Sequence, residues 1–256
     1  MLNTKKSLNK LFKSLSIKRN DNIFLHSNLA PYIHTKNKDY SYKKFLNQLI
    51  STLGKNGTIV VPTYNYDFAK GKIFDQKKSL SQVGDFTNFL LKKYPDKRTN
   101  NPIFSHLIFG KLYEELYHSD NTNMFGNKSI FSKLRKHNFK ILCFCCSPAT
   151  MTYMHFIETS LKVDYRFNKI FTGKIKDKKK ILKVKINYNV GKKNIDYSIK
   201  ETNLFKLIDR KNFLEKPYGR FSCYLVKINY LFKILSNKMR KNQRFLINYD
   251  NNTKRN

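Results

Sequence analysis

A histidine and a glutamate three residues apart, His155 and Glu158, are the pair best suited to acid–base chemistry in this 256-residue chain. They lie in the segment Thr152–Glu158. If that segment is helical, Glu158 can accept a hydrogen bond from one ring nitrogen of His155 and leave the other nitrogen free to take a proton. This is the arrangement of a general base and the residue that orients it. The same spacing would also suit a purely structural pair on a helix surface.

Three cysteines, Cys143, Cys145 and Cys146, precede this pair in a strand-like segment. Strand alternation places Cys143 and Cys145 on one face and Cys146 on the other, so we expect no shared metal site. No Cys or His pair has zinc-ligand spacing, and Cys223 is isolated. We therefore predict no metal and interpret the cysteines as small buried apolar residues. A Cys146 nucleophile with His155 as its base stays open as an alternative.

Two polar segments, residues 26–29 and 98–105, each adjoin a predicted strand and are candidates for contacts with an anionic cofactor. Backbone N–H groups and hydroxyls at a strand end can face a phosphate, and a guanidinium can pair with one. Taken singly, each segment is more often an ordinary loop. There is no Walker loop and no G-x-G-x-x-G, so ATP and dinucleotide binding have no support in the sequence. The candidate cofactor contacts are Ser27, Asn28, Leu29, Arg98 and Ser105.

A long, polar loop rich in aromatic residues spans residues 64–82, and a loop of this length usually has a functional role. It contributes two candidate substrate contacts, and the segment 98–105 contributes two more. The candidate substrate contacts are Tyr64, Asp75, Asn101 and Phe104.

Alternating helix and strand patterns must position these residues. Helical periodicity marks residues 8–15, 45–53 and 85–93, and short apolar runs at 23–25 and 58–61 indicate strands. We predict a mixed sheet covered on both faces by helices, built as one domain over residues 1–256. The later predicted elements are a strand at 105–109, helices near 111–118 and 129–136, a strand at 140–146, a helix at 150–161, a hairpin of 181–188 with 194–199, a helix at 203–210, a strand at 221–228 and a basic helix at 230–241.

The charge is strongly unbalanced, with 51 Lys+Arg against 17 Asp+Glu and a formal net charge of +34. Such an excess can indicate nucleic acid or an anionic membrane. However, lysine outnumbers arginine more than fourfold and is spread along the chain, which is typical of compositional bias. The basic C-terminal helix could bind such a partner, but its apolar residues also suit a docked terminal helix.

Membrane spans and secretion have no support in the sequence. No apolar run approaches the roughly 18 residues of a membrane helix, and no apolar stretch follows the basic N-terminus as in a secretory signal. Four cysteines form no disulfide framework, so we expect a cytoplasmic protein.

Nine segments, in this order, resemble the aminoglycoside 3-N-acetyltransferase family over about residues 20 to 173. Asn28 and Asn101 stand where the family often has serine and histidine, although asparagine can still donate a hydrogen bond at both places. The segments are His26-Ser27-Asn28-Leu29, Gly57–Tyr64, Ser81–Gly84, Arg98-Thr99, Asn101–Ser105, Gly126 with Ser129 and Phe131, Thr152–Glu158, Tyr165–Phe167 and Phe171–Gly173.

The resemblance implies an acyl-CoA-dependent N-acyltransferase with a three-layer α/β/α sandwich that is not the GNAT fold. The family's T-x-x-H-x-x-E motif falls on Thr152, His155 and Glu158, so His155 becomes the general base for direct acyl transfer. Thr152 becomes a candidate contact near the acyl carbonyl. The co-substrate is acetyl-CoA or another short acyl-CoA, the partner is a small amino sugar rather than nucleic acid, and the protein is a monomer or homodimer.

The net charge of the chain helps to choose between two classes of molecule that could carry the acceptor amine. Aminoglycosides are polycations and need carboxylates, whereas a nucleotide-linked amino sugar brings a diphosphate that suits a basic protein. The scarcity of acids favours a nucleotide-linked amino-deoxysugar of surface-polysaccharide biosynthesis. An aminoglycoside, with a role in antibiotic resistance, is the alternative. A non-catalytic protein that binds nucleic acid is the alternative from another class.

Overall fold

The computed structural model describes residues 4–33, 38–177, 180–193 and 195–248. Among these residues, helices and strands alternate along the chain as predicted. The helices are α1 (Thr4–Ser14), α2 (Lys38–Leu53), α3 (Asp85–Lys93), α4 (Tyr113–Tyr117), α5 (Ile130–Lys136), α6 (Tyr153–Leu161), α7 (Glu201–Phe205) and α8 (Ile228–Lys241). The strands are β1 (Asn22–Ser27), β2 (Thr58–Pro62), β3 (Phe74–Asp75), β4 (His106–Gly110), β5 (Lys140–Phe144), β6 (Arg166–Asp177), β7 (Lys180–Gly191), β8 (Phe213–Tyr218) and β9 (Phe221–Lys227).

The main sheet is mixed and six-stranded, with the order β4-β2-β1-β5-β9-β8. Its centre is parallel, because β1 pairs in parallel with both β2 and β5. The outer strands β4, β9 and β8 join it antiparallel. The carboxyl ends of β1, β2 and β5 therefore meet at one edge of the sheet, where ligands bind in open α/β folds.

Helices cover both faces of this sheet, which confirms the three-layer α/β/α architecture. Within β1, Phe24 joins a core that includes residues of α5, α6 and α8, while Ile23 and Leu25 join a second core with residues of α1, α2 and α3. This is the period-two alternation of a strand buried on both sides. The two cores thus lie on opposite faces of one sheet.

The small sheet of β3, β6 and β7 corrects the predicted hairpin. The strand β7 pairs with the preceding strand, β6, along its whole length from Arg166 to Asp177. The predicted pairing with residues 194–199 is wrong, because the exposed Ile170 beside Phe171 breaks the period-two pattern of β6. Residue 194 itself lies outside the described residues.

The terminal helix α8 packs into the first core through Leu231, Leu235 and Met239. Its basic residues Lys238, Arg240 and Lys241 fall in its last turn. The helix α8 is therefore docked on the core, which is one of the two possibilities that its sequence allowed. In the part of the chain that the structure describes, no helix is both long and apolar enough to cross a membrane.

Candidate active site

The approach to α6 is a sharp turn at the end of β5. Cys145 adopts a left-handed backbone conformation with φ of 52°. The Ser147 side chain then accepts a hydrogen bond from the N–H of Ala149 at the start of a short 3-10 turn. This turn carries the chain past the edge where β1 and β5 end and directs the first turn of α6 toward it.

The turn also overturns the predicted arrangement of the cysteines. Strand geometry ends at Phe144, so alternation no longer applies to the residues that follow. Cys143 and Cys146 pack on the first core, whereas Cys145 belongs to the second core and its sulfur lies 3.6 Å from that of Cys223. Cys143 and Cys146 therefore share a side, against expectation.

On α6, His155 and Glu158 make the predicted contact, with 2.7 Å between Nδ1 and Oε2. Glu158 is fully buried, and its other oxygen accepts a 2.8 Å hydrogen bond from the hydroxyl of Tyr165. Burial alone raises the pKa of Glu158, but His155, Arg166 and Tyr165 outweigh it and hold the pKa below its ordinary value. Glu158 is thus an ionised carboxylate that orients the imidazole.

A third group, the side chain of Arg166, completes this cluster. Its Nε lies 2.7 Å from Oε2 of Glu158, as an ion pair whose N–H is not aligned for a hydrogen bond. Its Nη2 lies 3.0 Å from Nδ1 of His155. Nη2 of Arg166 can only donate a hydrogen bond, so it favours an Nδ1 atom without a proton. The Glu158 carboxylate can only accept one, so it favours an Nδ1 atom that carries the proton. With the proton on Nδ1, the Nε2 atom of His155 is left as the proton acceptor.

A cavity of about 240 Å³ lies at the strand-end edge. Thr152 lines this cavity and stands three residues before His155. Residues three apart share a face of a helix, so His155 lies on the same face as Thr152, next to the cavity. The cavity holds three of the predicted contacts, namely Ser27, Tyr64 and Thr152. The residues that line it are Leu25, His26, Ser27, Pro62, Tyr64, Tyr66, Val83, Thr87, Cys146, Thr150 and Thr152.

The hydroxyl of Tyr64 is held inside this wall. It lies 3.3 Å from Nε2 of His106 and also hydrogen-bonds to Thr152. Burial raises the pKa of Tyr64 well above its ordinary value, so the phenol stays protonated. Tyr64 can therefore present a neutral hydroxyl to a ligand.

The predicted cofactor contacts Arg98 and Ser105 are corrected by the structure. Both are fully buried. The Nε of Arg98 donates to the Ser105 hydroxyl at 2.9 Å, and Nη2 donates to the carbonyl of Thr63 at 2.8 Å. Its Nη1 donates to the carbonyls of Gln76 and Ser79. Arg98 therefore ties the long loop to the sheet and has no exposed N–H for a phosphate.

Three predicted substrate contacts also have structural roles instead. The Asn101 carbonyl oxygen accepts from the N–H groups of Ile103 and Phe104 and so closes a buried turn. Phe104 is buried with its ring 4.8 Å from that of Tyr64. Asp75 accepts from two N–H groups of its own turn and pairs with Lys176 at 3.5 Å.

The segment after β1 is divided between the cavity and the interior. Ser27 lines the cavity, while the Asn28 side chain accepts a 3.1 Å hydrogen bond from the N–H of Ala30. Leu29 is buried in the second core. It is only 3% exposed and does not line the cavity, so its contact with a cofactor stays a prediction.

Three residues of the site, Tyr165, Arg166 and His26, received no role from the sequence, although each lies in a segment of the resemblance. Tyr165 and Arg166 fall in the motif Tyr165–Phe167, which marked them as part of the resemblance without a role. His26 lines the cavity and falls in the segment His26-Ser27-Asn28-Leu29 of the resemblance, again without a role. Cys146 also lines the cavity, and the sequence suggested it only as an alternative nucleophile. No group of three or more metal-binding side chains occurs among the described residues.

Comparisons with known proteins agree with this architecture. A family model described as aminoglycoside 3-N-acetyltransferase matches residues 24–240. The fold is similar to YokD from Bacillus subtilis, with a TM-score of 0.77 and 16% identity over 93% of this chain and 94% of that one. Among curated protein sequences, none matches significantly.

Two further solved structures carry ligands. AAC-IIIb, solved as a binary complex with CoASH, has a TM-score of 0.77 and 15% identity, covering 93% of this chain and 96% of its own. AAC-VIa, solved with sisomicin, has a TM-score of 0.73 and 17% identity, covering 91% and 98%. At these identities the likeness shows the fold.

Proposed function

The chain belongs to the aminoglycoside 3-N-acetyltransferase family, and from that premise we propose that it moves an acetyl or other short acyl group from CoA to the amine of an amino sugar. We propose that residues 1–256 form one catalytic domain for this reaction. The observation that carries the proposal is the His155–Glu158 hydrogen bond at the start of α6, beside a cavity at the strand ends.

His155 supplies the acid–base chemistry in this proposal. An alkyl amine is mostly ammonium near neutral pH, so it must lose a proton before nitrogen can attack the thioester carbonyl. Nε2 of His155 takes the proton of the attacking nitrogen, and the Glu158 carboxylate stabilises the imidazolium that results. A positioned base of this kind is worth about 10²–10⁴-fold in rate. The carbon–sulfur bond then breaks, the thiolate leaves, and no covalent enzyme intermediate is needed.

The cavity fits the thiol end of an acyl-CoA. Its wall combines apolar side chains such as Pro62 and Val83 with the hydroxyls of Ser27 and Thr152. Nε2 of His26 is buried without a hydrogen-bond partner in the described structure, and a movement of the ring would let a ligand amide supply one. In this proposal the Thr152 hydroxyl donates to the oxygen of the tetrahedral intermediate. The CoASH bound to AAC-IIIb supports the same donor here.

An aminoglycoside is the acceptor class that the relatives support better. AAC-VIa was solved with sisomicin, and AAC(3)-IVa with apramycin. The preference for a nucleotide-linked amino sugar, drawn from the charge of the sequence, has no counterpart among these relatives. We therefore place the aminoglycoside first.

A nucleotide-linked amino sugar remains the second candidate because of the charges around the cavity. None of the described residues that line it is Asp or Glu. The nearby loop carboxylates Asp67 and Asp75 are already paired with Lys72 and Lys176. A polycationic drug would have little negative charge to meet here, whereas a diphosphate would meet a basic protein.

One assay separates these functions. Release of CoA thiol from acetyl-CoA is followed with an aminoglycoside panel and with a panel of nucleotide-linked amino sugars, with His155→Ala as the catalytically impaired control. Turnover with aminoglycosides alone supports the first acceptor, and turnover with the nucleotide-linked sugars alone supports the second. Steeply salt-dependent binding of DNA or RNA with no thiol release would contradict acyl transfer.

A further inference from the structure

The turn after β5 places one thiol, that of Cys146, in the wall of the active-site cavity. Cys146 is half-buried, whereas Cys143, Cys145 and Cys223 are buried in the two cores. The positive φ of Cys145 is what rotates the chain, so that Cys146 faces the cavity side instead of continuing the strand. Reagents in the cavity therefore reach one sulfur.

The surroundings of Cys146 favour its thiolate. The thiol of Cys143 hydrogen-bonds to its sulfur, and the Asn28 N–H and the Thr150 hydroxyl also face it. The Asn28 N–H also donates to the carbonyl of Phe144, and the Thr150 hydroxyl also donates to that of Ser147. Cys143 therefore contributes most to the stabilisation of the Cys146 thiolate. These donors outweigh burial and lower the pKa of Cys146, while the pKa of Cys143 is raised. A thiolate is the reactive form of cysteine.

A second observation indicates that this cavity is built for a ligand. His26 is only 8% exposed and lines the same wall, and its Nε2 has no hydrogen-bond partner in the described structure. Burial lowers the pKa of His26 to about 3, so the ring is neutral and can donate or accept. A buried polar atom left unsatisfied costs stability, and a ligand amide that draws the ring toward the cavity would recover that cost.

We propose that Cys146 is a site of reversible thiol–disulfide exchange with a disulfide of the pantetheine arm, such as CoA disulfide, and that the resulting mixed disulfide closes the cavity to the acyl donor. The inference rests on the proposed function, since it requires the cavity to admit the CoA thiol arm.

The exchange is balanced without a further oxidant. The Cys146 thiolate attacks one sulfur of the disulfide, the disulfide bond breaks as a new sulfur–sulfur bond forms, and the second half leaves as a thiolate that takes up a proton. The protein thiol is oxidised and half of the CoA disulfide is reduced. A thiol reductant reverses the step.

The test compares three disulfides on the intact protein. CoA disulfide carries the arm and phosphates, pantethine carries the uncharged arm alone, and glutathione disulfide carries negative charge without the arm. We expect the first two to give one adduct per chain at Cys146, by intact mass and peptide mapping, at least about tenfold faster than glutathione disulfide. Acetyl-CoA should slow the reaction, and acyl transfer should be lost and then restored by dithiothreitol.

A Cys146→Ser variant provides the matched control. It should form no adduct, and its acyl transfer, compared before and after disulfide treatment, should not change. Peptide mapping of the unmodified sequence locates the adduct even if this variant folds poorly. An adduct confined to another cysteine overturns the proposal.

Two further outcomes separate the inference from the function on which it rests. If no disulfide modifies Cys146 while acyl transfer proceeds, the inference fails and the proposed function stands. If all three disulfides modify Cys146 equally and acetyl-CoA gives no protection, the cavity does not admit the pantetheine arm. That result overturns both the CoA-specific site and the donor site of the proposed function.

Discussion

Two buried arginines, Arg98 and Arg166, have different kinds of partner. Arg98 is fully buried and donates to the Ser105 hydroxyl and to three backbone carbonyls. Arg166 is 8% exposed and contacts Glu158 and the ring of His155. The partners of Arg98 keep the same charge at every working pH, whereas those of Arg166 titrate.

This difference separates a structural role from a chemical one. Each carbonyl bound by Arg98 would lie buried and unsatisfied without it, so Arg98 stabilises the fold. Arg166 sets the charge around a carboxylate that orients a base, so its effect should be visible in a pH profile. Burial alone would not have distinguished them, because both guanidinium groups are out of solvent.

The largest effect is expected at His155, the proposed base, which Arg166 contacts. In His155→Ala, kcat should fall by about 10²–10⁴-fold because the attacking amine loses its proton acceptor. Affinity for acyl-CoA should be retained, since the cavity wall is unchanged. Single-turnover kinetics and calorimetric binding of CoA measure the two quantities, and a near-normal kcat would remove His155 from the mechanism.

For the other arginine, Arg98→Met should lower the free energy of unfolding by about 3 kcal/mol or more. The buried carbonyls that Arg98 contacts would lose their hydrogen-bond donor. Urea unfolding measures the change. Arg244→Met is the matched control, since Arg244 pairs with Asp164 at 2.9 Å on the surface. That exposed pair is worth about 0–1 kcal/mol. Equal losses in the two variants, or a stable Arg98→Met with weakened CoA binding, would contradict the structural role.

A smaller effect is expected from Arg166→Met, and it sharpens the comparison by its pH dependence. Arg166 lowers the pKa of Glu158, so its removal should raise that pKa. The acid limb of kcat/KM should then move to higher pH, with a loss of about tenfold where Glu158 is protonated. Tyr165→Phe, which removes a hydrogen bond but no charge, should move the limb less in the same direction. A lower melting temperature with an unchanged profile would make Arg166 purely structural.

The smallest effect concerns two buried bases without charge, His26 and His106. Burial lowers the pKa of each to about 3. Between that value and the unfolded value near 6.5, the unfolded chain binds more protons, so stability falls as pH falls. From pH 7 to 5.5, where carboxylates remain ionised, each should cost about 1 kcal/mol of unfolding free energy.

Urea unfolding at a series of pH values measures this slope. His106→Phe should remove about half of it, because its ring is packed among Phe24, Phe131 and Tyr64. His118→Asn, at an exposed histidine, should leave it unchanged. A flat profile between pH 7 and 5.5 would show that His26 and His106 take up protons in the folded protein as they do in the unfolded chain.

Much of the fold was predictable from local patterns, and the exceptions lie where the chain departs from regular strand alternation. The bounds predicted for α3 agree with the structure, and β2, β5, β9 and α8 differ by one or two residues at their ends. The strand β6 was missed, because its exposed apolar residues Phe167 and Ile170 break its alternation. The cysteine faces were wrong because the strand ends at Phe144, one residue before a left-handed turn.

The amino-acid sequence by itself determined the His155–Glu158 contact and the family, because a pair three residues apart on a helix is set by helical geometry and ordered motifs survive in the chain. Only the tertiary structure decided that Arg98 serves the fold, that Arg166 joins the base, and that Cys146 faces the cavity. Arg98 contacts the carbonyl of Thr63, 35 residues away, Arg166 reaches back to α6 from the following strand, and the turn at Cys145 sets the direction of Cys146. Packing of the sheet and its loops, and not local spacing, decides which polar groups such a side chain meets.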